Sequence, residues 1–127
     1  MIKIIGRKTE KEASVEAAKV MAEVVKNNPN GVIGLATGSS PINMYKELIR
    51  MYEAGEISFK NIRSVNLDEY VGLSADHDQS YAYFMNENLF IYNCFSSKQR
   101  KVCFSIPPLN SIFVELFQKH FERLQLR

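Results

Sequence analysis

The sequence predicts an α/β fold in which helices cover both faces of a mostly parallel sheet. Three observations carry that expectation. Short apolar runs alternate with segments of helical apolar spacing in the order βαβαβα. The first helical segment opens on a capping residue, the second on a proline, and they close on Asn-Pro or Gly signals. The chain has 127 residues and is 46% hydrophobic, which supplies a core for one domain or part of one.

Ile2 to Ile5 is a short apolar run that fits a first strand. Thr9-Glu10-Lys11-Glu12 is a capping box, with Glu12 placed to reach back to the cap N–H. Ala13, Ala17, Val20, Met21, Val24 and Val25 then recur at helical spacing, and the Asn27 to Gly31 stretch ends the helix. Val32 to Ala36 reads as a buried strand, which runs into the small polar turn Thr37-Gly38-Ser39-Ser40. Ser40 suits a helix N-cap and Pro41 the first helical position, where its missing donor costs nothing. The helix that follows buries Met44, Leu48 and Met51 and stops at Gly55. A third strand, Ile62 to Leu67, ends at Asp68-Glu69-Tyr70. After a polar loop, Asp78 or Ser80 caps a helix through Tyr81, Phe84, Met85 and Leu89. Lys101 to Ile106 fits a strand broken by Pro107-Pro108, and Phe113, Leu116, Phe117, Phe121 and Leu124 form a stripe at helical spacing. That stripe reads as packing on the core or on a partner chain rather than on a membrane surface.

Composition narrows the function classes. The net charge of +2 is too small to argue for nucleic acid. No run approaches a membrane span, and the N-terminus has no signal-peptide pattern, so a cytoplasmic location is expected. Cys94 and Cys103 lack metal-ligand spacing and read as free thiols. Charge is unevenly spread: residues 1–90 hold 10 Lys/Arg against 12 Asp/Glu, and residues 91–127 hold 6 against 2. The tail also contains both cysteines and five of the eight phenylalanines. This divides the chain into 1–90 and a divergent tail, 91–127.

Two stretches can carry chemistry. A tight Gly/Ser/Thr loop between a parallel strand and a helix N-terminus presents N–H groups and hydroxyls to an anion. Thr37, Gly38, Ser39 and Ser40 therefore read as a phosphate pocket, although the same residues also make an ordinary strand-to-helix turn. Neither a P-loop lysine nor a dinucleotide-binding glycine fingerprint is present. Asp68 stands at the end of another parallel strand, where ligand sites of such sheets lie. A carboxylate there can act as general base on a bound sugar phosphate, or Asp68 and Glu69 can simply cap the turn. Tyr70, Tyr81 and Tyr83 read as packing residues and His77 as a solvated loop histidine; His120 has no evident partner. Ser39 and Ser40 lack a nucleophile setting.

Leu35-Ala36-Thr37-Gly38-Ser39-Ser40-Pro41, Asn66-Leu67-Asp68-Glu69-Tyr70-Val71-Gly72-Leu73, Gln79-Ser80-Tyr81 and Phe84-Met85 resemble the glucosamine-6-phosphate deaminase family. Tyr45-Lys46 and Ile57-Ser58-Phe59 fall at matching intervals, and the resemblance covers about residues 1–90. It implies a Rossmann-like three-layer α/β/α sandwich, a homo-oligomer, and conversion of glucosamine 6-phosphate and water to fructose 6-phosphate and ammonia. By the same resemblance Asp68 is the proton acceptor. It moves the proton from sugar C2 to C1 through an enol-type intermediate, and Thr37, Gly38, Ser39 and Ser40 hold the substrate, chiefly its phosphate. Glu69 is a supporting residue. No metal and no organic cofactor are implied, and the partner is a small amino-sugar phosphate. This chemistry fits a mobile carboxylate over the C1–C2 edge with the phosphate anchored at a distance.

Beyond Phe90 nothing matches the family. Its ring-opening Asp-x-His motif with a following Glu, and the Arg and Lys that complete its phosphate site, belong to a later portion. No Asp-x-His occurs in this chain, so neither His77 nor His120 takes that role. The expectation is a truncated or frameshifted form, with a fold incomplete at the C-terminus, an unpaired last strand and low activity. The alternative is a non-catalytic sugar-phosphate-binding module of the same superfamily fold. A related phosphosugar lactonase or isomerase shares the loop but not Leu67 to Leu73.

Overall fold

A computed structural model describes residues 2–70 and 72–92 and the backbone of the strand Arg100–Val102. The order of elements is α1 (Glu10–Asn27), β1 (Val32–Leu35), α2 (Ile42–Glu53), β2 (Arg63–Asn66), α3 (Tyr81–Asn88), a short 3-10 turn (Phe90–Tyr92) and β3 (Arg100–Val102). The strands form one sheet in the order β1-β2-β3, and both pairings are parallel. Helical crossovers between neighbouring parallel strands define a Rossmann-like α/β fold.

Local chemistry explains most element boundaries. Thr9 caps α1, its hydroxyl accepting from the Glu12 N–H at 3.2 Å. The Glu12 carboxylate reaches back to the Lys8 N–H at 3.1 Å, one residue before the position that the capping box predicts. Helix α2 ends at Ala54 and Gly55, whose φ of 71° is left-handed and suits only glycine well. The Gly55 N–H donates to the Tyr52 carbonyl at 2.9 Å and the Glu56 N–H to Met51 at 2.8 Å, the paired bonds of a Schellman stop. Ser80, not Asp78, caps α3 and accepts from the Tyr83 N–H at 3.0 Å.

Four sequence expectations need correction. Ile2 to Ile5 is not a strand; no ladder pairs it among the described residues, and Ile2 and Ile4 are exposed. The buried face of α1 is Ser14, Ala18, Ala22 and Val25, whereas Ala13, Ala17, Val20 and Val24 are exposed. Small Ala and Ser side chains let this face approach α2 closely, so packing chose the smaller of two apolar-compatible faces. Strand β1 is half-buried: Ile33 and Leu35 face the core and Val32 and Gly34 do not, as period-2 geometry requires. Finally, β2 is not an unpaired edge, because β3 pairs with it from Ser64↔Arg100 to Asn66↔Val102. The strand expected over Lys101 to Ile106 begins one residue earlier; its remainder, Val71, the tail helix, Cys94, Cys103 and His120 lie outside the described residues.

One apolar cluster holds these elements together. It joins Ala18, Ala22 and Val25 of α1, Ile33 and Leu35 of β1, Tyr45, Leu48, Ile49 and Met51 of α2, and Met85 of α3. Ile57, Phe59 and Ile62 of the connector before β2, together with Leu89 and Phe90 after α3, complete it. The effect is to fix β1 and β2 side by side, with Leu35 opposite Asn66 at their carboxyl ends.

Candidate functional site

Two loops leave the sheet from those adjacent strand ends. The first, residues 37–40, follows β1; Gly38 has φ 90°, a left-handed conformation that a side chain would strain. Thr37 is half-buried, and Gly38, Ser39 and Ser40 are exposed. Tyr45, fully buried in α2, donates its hydroxyl to the Ala36 carbonyl and so anchors the loop at its root. Burial holds that phenol well above its ordinary range, so it stays a neutral donor.

The helix start differs by one residue from the sequence expectation. Pro41 occupies the N-cap of α2 rather than the first helical position, and no side chain caps the helix. Ser40 therefore does not cap it, while the Ile42 N–H turns back to the Ser39 carbonyl at 3.3 Å. An uncapped first turn with no acidic residue in it leaves N–H groups directed at the loop, which favours an anion there.

The second loop begins at Leu67. Asn66 is 1% exposed and donates from Nδ2 to the Leu35 carbonyl at 2.9 Å. This bond ties the ends of β1 and β2 together just below both loops. Asn66 was not singled out by sequence reasoning; it stands two positions before Asp68 in a strand, Arg-Ser-Val-Asn, whose polar residues hide which of them is buried. Asp68 itself is exposed at the strand end. Glu69 turns the other way: its carboxylate accepts from the backbone N–H groups of Tyr70 at 2.9 Å, Tyr81 at 2.9 Å and Ala82 at 2.8 Å. Burial pushes the Glu69 carboxyl up, but the three N–H bonds outweigh it and hold it below the usual carboxylate range.

The rings of Tyr70 and Tyr81 pack at a tilt of 37° with centroids 4.9 Å apart, and the Tyr81 hydroxyl donates to that of Tyr70 at 3.2 Å. This bond and partial burial push the Tyr81 phenol up, the Asp68 charge adds to the rise, and the Thr37 hydroxyl opposes it. Thr37, Asp68 and Tyr81 thus share one electrostatic neighbourhood. Tyr81, read from the sequence as a packing residue, also hydrogen-bonds Glu69 and Tyr70 of the second loop. His77 stays apart in its exposed loop, where Nδ1 accepts from the Gln79 N–H at 3.1 Å and lies 3.2 Å from Asp78. Among the described residues no cluster of His, Cys, Asp and Glu could hold a metal, and no helix is long and apolar enough to cross a membrane.

A small polar loop and a carboxylate at neighbouring ends of a parallel sheet make the layout of an α/β protein whose ligands, where it has them, lie beyond the carboxyl ends of the strands. Comparison narrows the class. No family model matches the chain. It is 62% identical over 89 residues to glucosamine-6-phosphate deaminase of Clostridium perfringens strain SM101, a match spanning 70% of this chain and 37% of that protein. The same enzyme of Thermoanaerobacter sp. strain X514 is 53% identical over 89 residues, with 70% and 35% covered. That of Mycoplasma mycoides is 50% identical over 91 residues, with 72% and 37% covered. A solved structure of a monomeric glucosamine-6-phosphate deaminase, described as a missing link of the NagB superfamily, superposes with a TM-score of 0.79. It is 32% identical, and the superposition covers 98% of this chain and 52% of that one. The matched N-terminal portion of this chain is glucosamine-6-phosphate deaminase family sequence, and that family is one of enzymes. The chain spans little more than a third of the length of these curated relatives. The homo-oligomer expected from the sequence finds no support in the structural neighbour, which is described as monomeric.

Proposed function

We propose that residues 1–90 carry the sugar-phosphate-holding and proton-transfer part of a glucosamine-6-phosphate deaminase, which converts glucosamine 6-phosphate and water to fructose 6-phosphate and ammonia. The observation behind this reading is the pairing Leu35↔Asn66, which sets the Thr37 to Ser40 loop and Asp68 at adjacent ends of parallel strands. In this reading the phosphate sits on the loop amides, the Thr37, Ser39 and Ser40 hydroxyls and the uncapped first turn of α2. The sugar then extends toward β2, and the exposed Asp68 carboxylate takes the C2 proton and returns it to C1. Fixing the phosphate fixes the register of C1 and C2 against the carboxylate, which is where positional catalysis gains most.

The decisive assay is ammonia release from glucosamine 6-phosphate by the purified 127-residue chain, beside Asp68→Asn. Release that falls at least about 100-fold in the variant supports the proton-transfer role. Binding of glucosamine 6-phosphate at Thr37 to Ser40 without ammonia from either protein points to the non-catalytic sugar-phosphate-binding module instead. Absence of both sinks the assignment.

A further inference from the structure

We propose that Glu69 is a positioning residue: by gripping the first-turn amides of α3 it closes the 69–81 loop, fixes the turn that carries Asp68, and holds the Tyr70 and Tyr81 ring pair beside that turn. The proposal deepens the deaminase reading, on which its link to catalysis rests.

The division of labour at the start of α3 carries the argument. A helix leaves four orphan N–H groups at its N-terminus. Here the Ser80 N–H goes to the His77 carbonyl and the Tyr83 N–H to the Ser80 hydroxyl, both local to the helix start. The Tyr81 and Ala82 N–H groups go instead to the two Glu69 oxygens, one each, across 12 and 13 residues of chain. A local capping side chain would satisfy the helix equally well. Only a group from the β2 end also ties the helix to the turn beside Asp68.

The loop so closed is braced within itself. Ser80, 1% exposed, donates to the Ala75 carbonyl at 3.1 Å, and the His77 and Ser80 N–H groups bond the Ser74 and His77 carbonyls. Glu69 Oε1 also holds the Tyr70 N–H. Both tyrosines therefore hang from one carboxylate oxygen. Holding Tyr70 and Tyr81 by their amides sets the ring pair, and the Tyr81 hydroxyl ends where the charge of Asp68 and the hydroxyl of Thr37 both act on it. Glu69→Gln keeps one acceptor oxygen and turns a donor NH2 toward the second amide, so the two-pronged grip is lost.

A merely structural cap would change stability and nothing else. The distinguishing readout is electrostatic coupling between Asp68 and Tyr81, followed by NMR of the full 127-residue chain carrying ring-labelled tyrosine, with Tyr81→Phe assigning the resonance. With Glu69 in place, Asp68→Asn is expected to move the Tyr81 titration to lower pH by about 0.5, since a negative charge is removed from beside a group that becomes negative. With Glu69→Gln also present, the same substitution leaves the titration where it is. No movement in the first case, or equal movement in both, overturns the proposal. Should Glu69→Gln lose its helical circular dichroism, Glu69→Asp, too short to span both amides, carries the same comparison. A Tyr81 response that depends on Glu69, in a chain that binds neither glucosamine 6-phosphate nor inorganic phosphate, upholds the clamp and sinks the deaminase reading alone.

Discussion

Single polar side chains add to the apolar core and the parallel ladder in setting the relation between the two loops. Asn66 does so through one buried amide bond to the Leu35 carbonyl. Its Oδ1 and the Ser64 hydroxyl are buried without a protein partner among the described residues, so β2 bears a polar cost on its core face that this bond partly offsets. Asn66→Ala removes the donor and leaves a cavity; the expected loss is about 1–3 kcal/mol, read as a lower urea midpoint at unchanged slope. The same variant should weaken glucosamine 6-phosphate binding, because both loops lose their common tie. An unaltered midpoint would show that the parallel ladder alone holds the strand ends.

At the scale of elements, α3 is a short helix of 8 residues whose start depends on two side chains of different kinds. The Ser80 hydroxyl does not titrate in the accessible range, whereas Glu69 does. Glu69 is held below its ordinary value of 4.5 in the folded protein, against the pull of burial, by three backbone N–H bonds. A depressed folded value means that the stabilisation is fully present above the unfolded value and is lost as pH falls through the folded one. Amide exchange at Tyr81 and Ala82 should therefore be slow near neutral pH and lose its protection as pH drops below about 4.5. Glu69→Gln should show the weakened protection at every pH. Protection that ignores pH in the parent chain would mean that Ser80 alone secures the helix.

For the molecule as a whole, stability rests on the cluster that joins both helices α1 and α2 to β1. Leu48 is fully buried within it. Leu48→Ala is expected to cost about 2–5 kcal/mol, measured by urea denaturation. That is a large share of what a domain of this size has in hand. Binding of glucosamine 6-phosphate should fall with the folded fraction in this variant, whereas Asp68→Asn should leave the urea midpoint unmoved. If Asp68→Asn also unfolds the chain, its effect on ammonia release says nothing of proton transfer.

Much of this was legible in the residues. The capping box at Thr9, the Gly55 stop, the Ser80 cap and the alternation of strand and helix patterns follow from interactions between residues close in sequence. Local chemistry of that kind is written in adjacent letters. The Thr37 to Ser40 loop and Asp68 stood out because each directly follows a stretch that reads as a strand. What the sequence could not display was decided by contacts across long separations. Which face of α1 turns inward depends on how closely α2 can approach, and the exposed Val20 and Val24 show that the larger apolar face was not chosen. Whether Ile2 to Ile5 becomes a strand depends on a neighbour to pair with, not on its own composition. The Asn66–Leu35 bond and the Glu69 grip on α3 join residues 31, 12 and 13 positions apart. Tyr81 gained its place against Tyr70 the same way, across 11 positions. Sequence determined which polar residues stand at the ends of strands, and tertiary structure decided which of those ends lie side by side, because parallel strands become neighbours only after the chain between them has folded back.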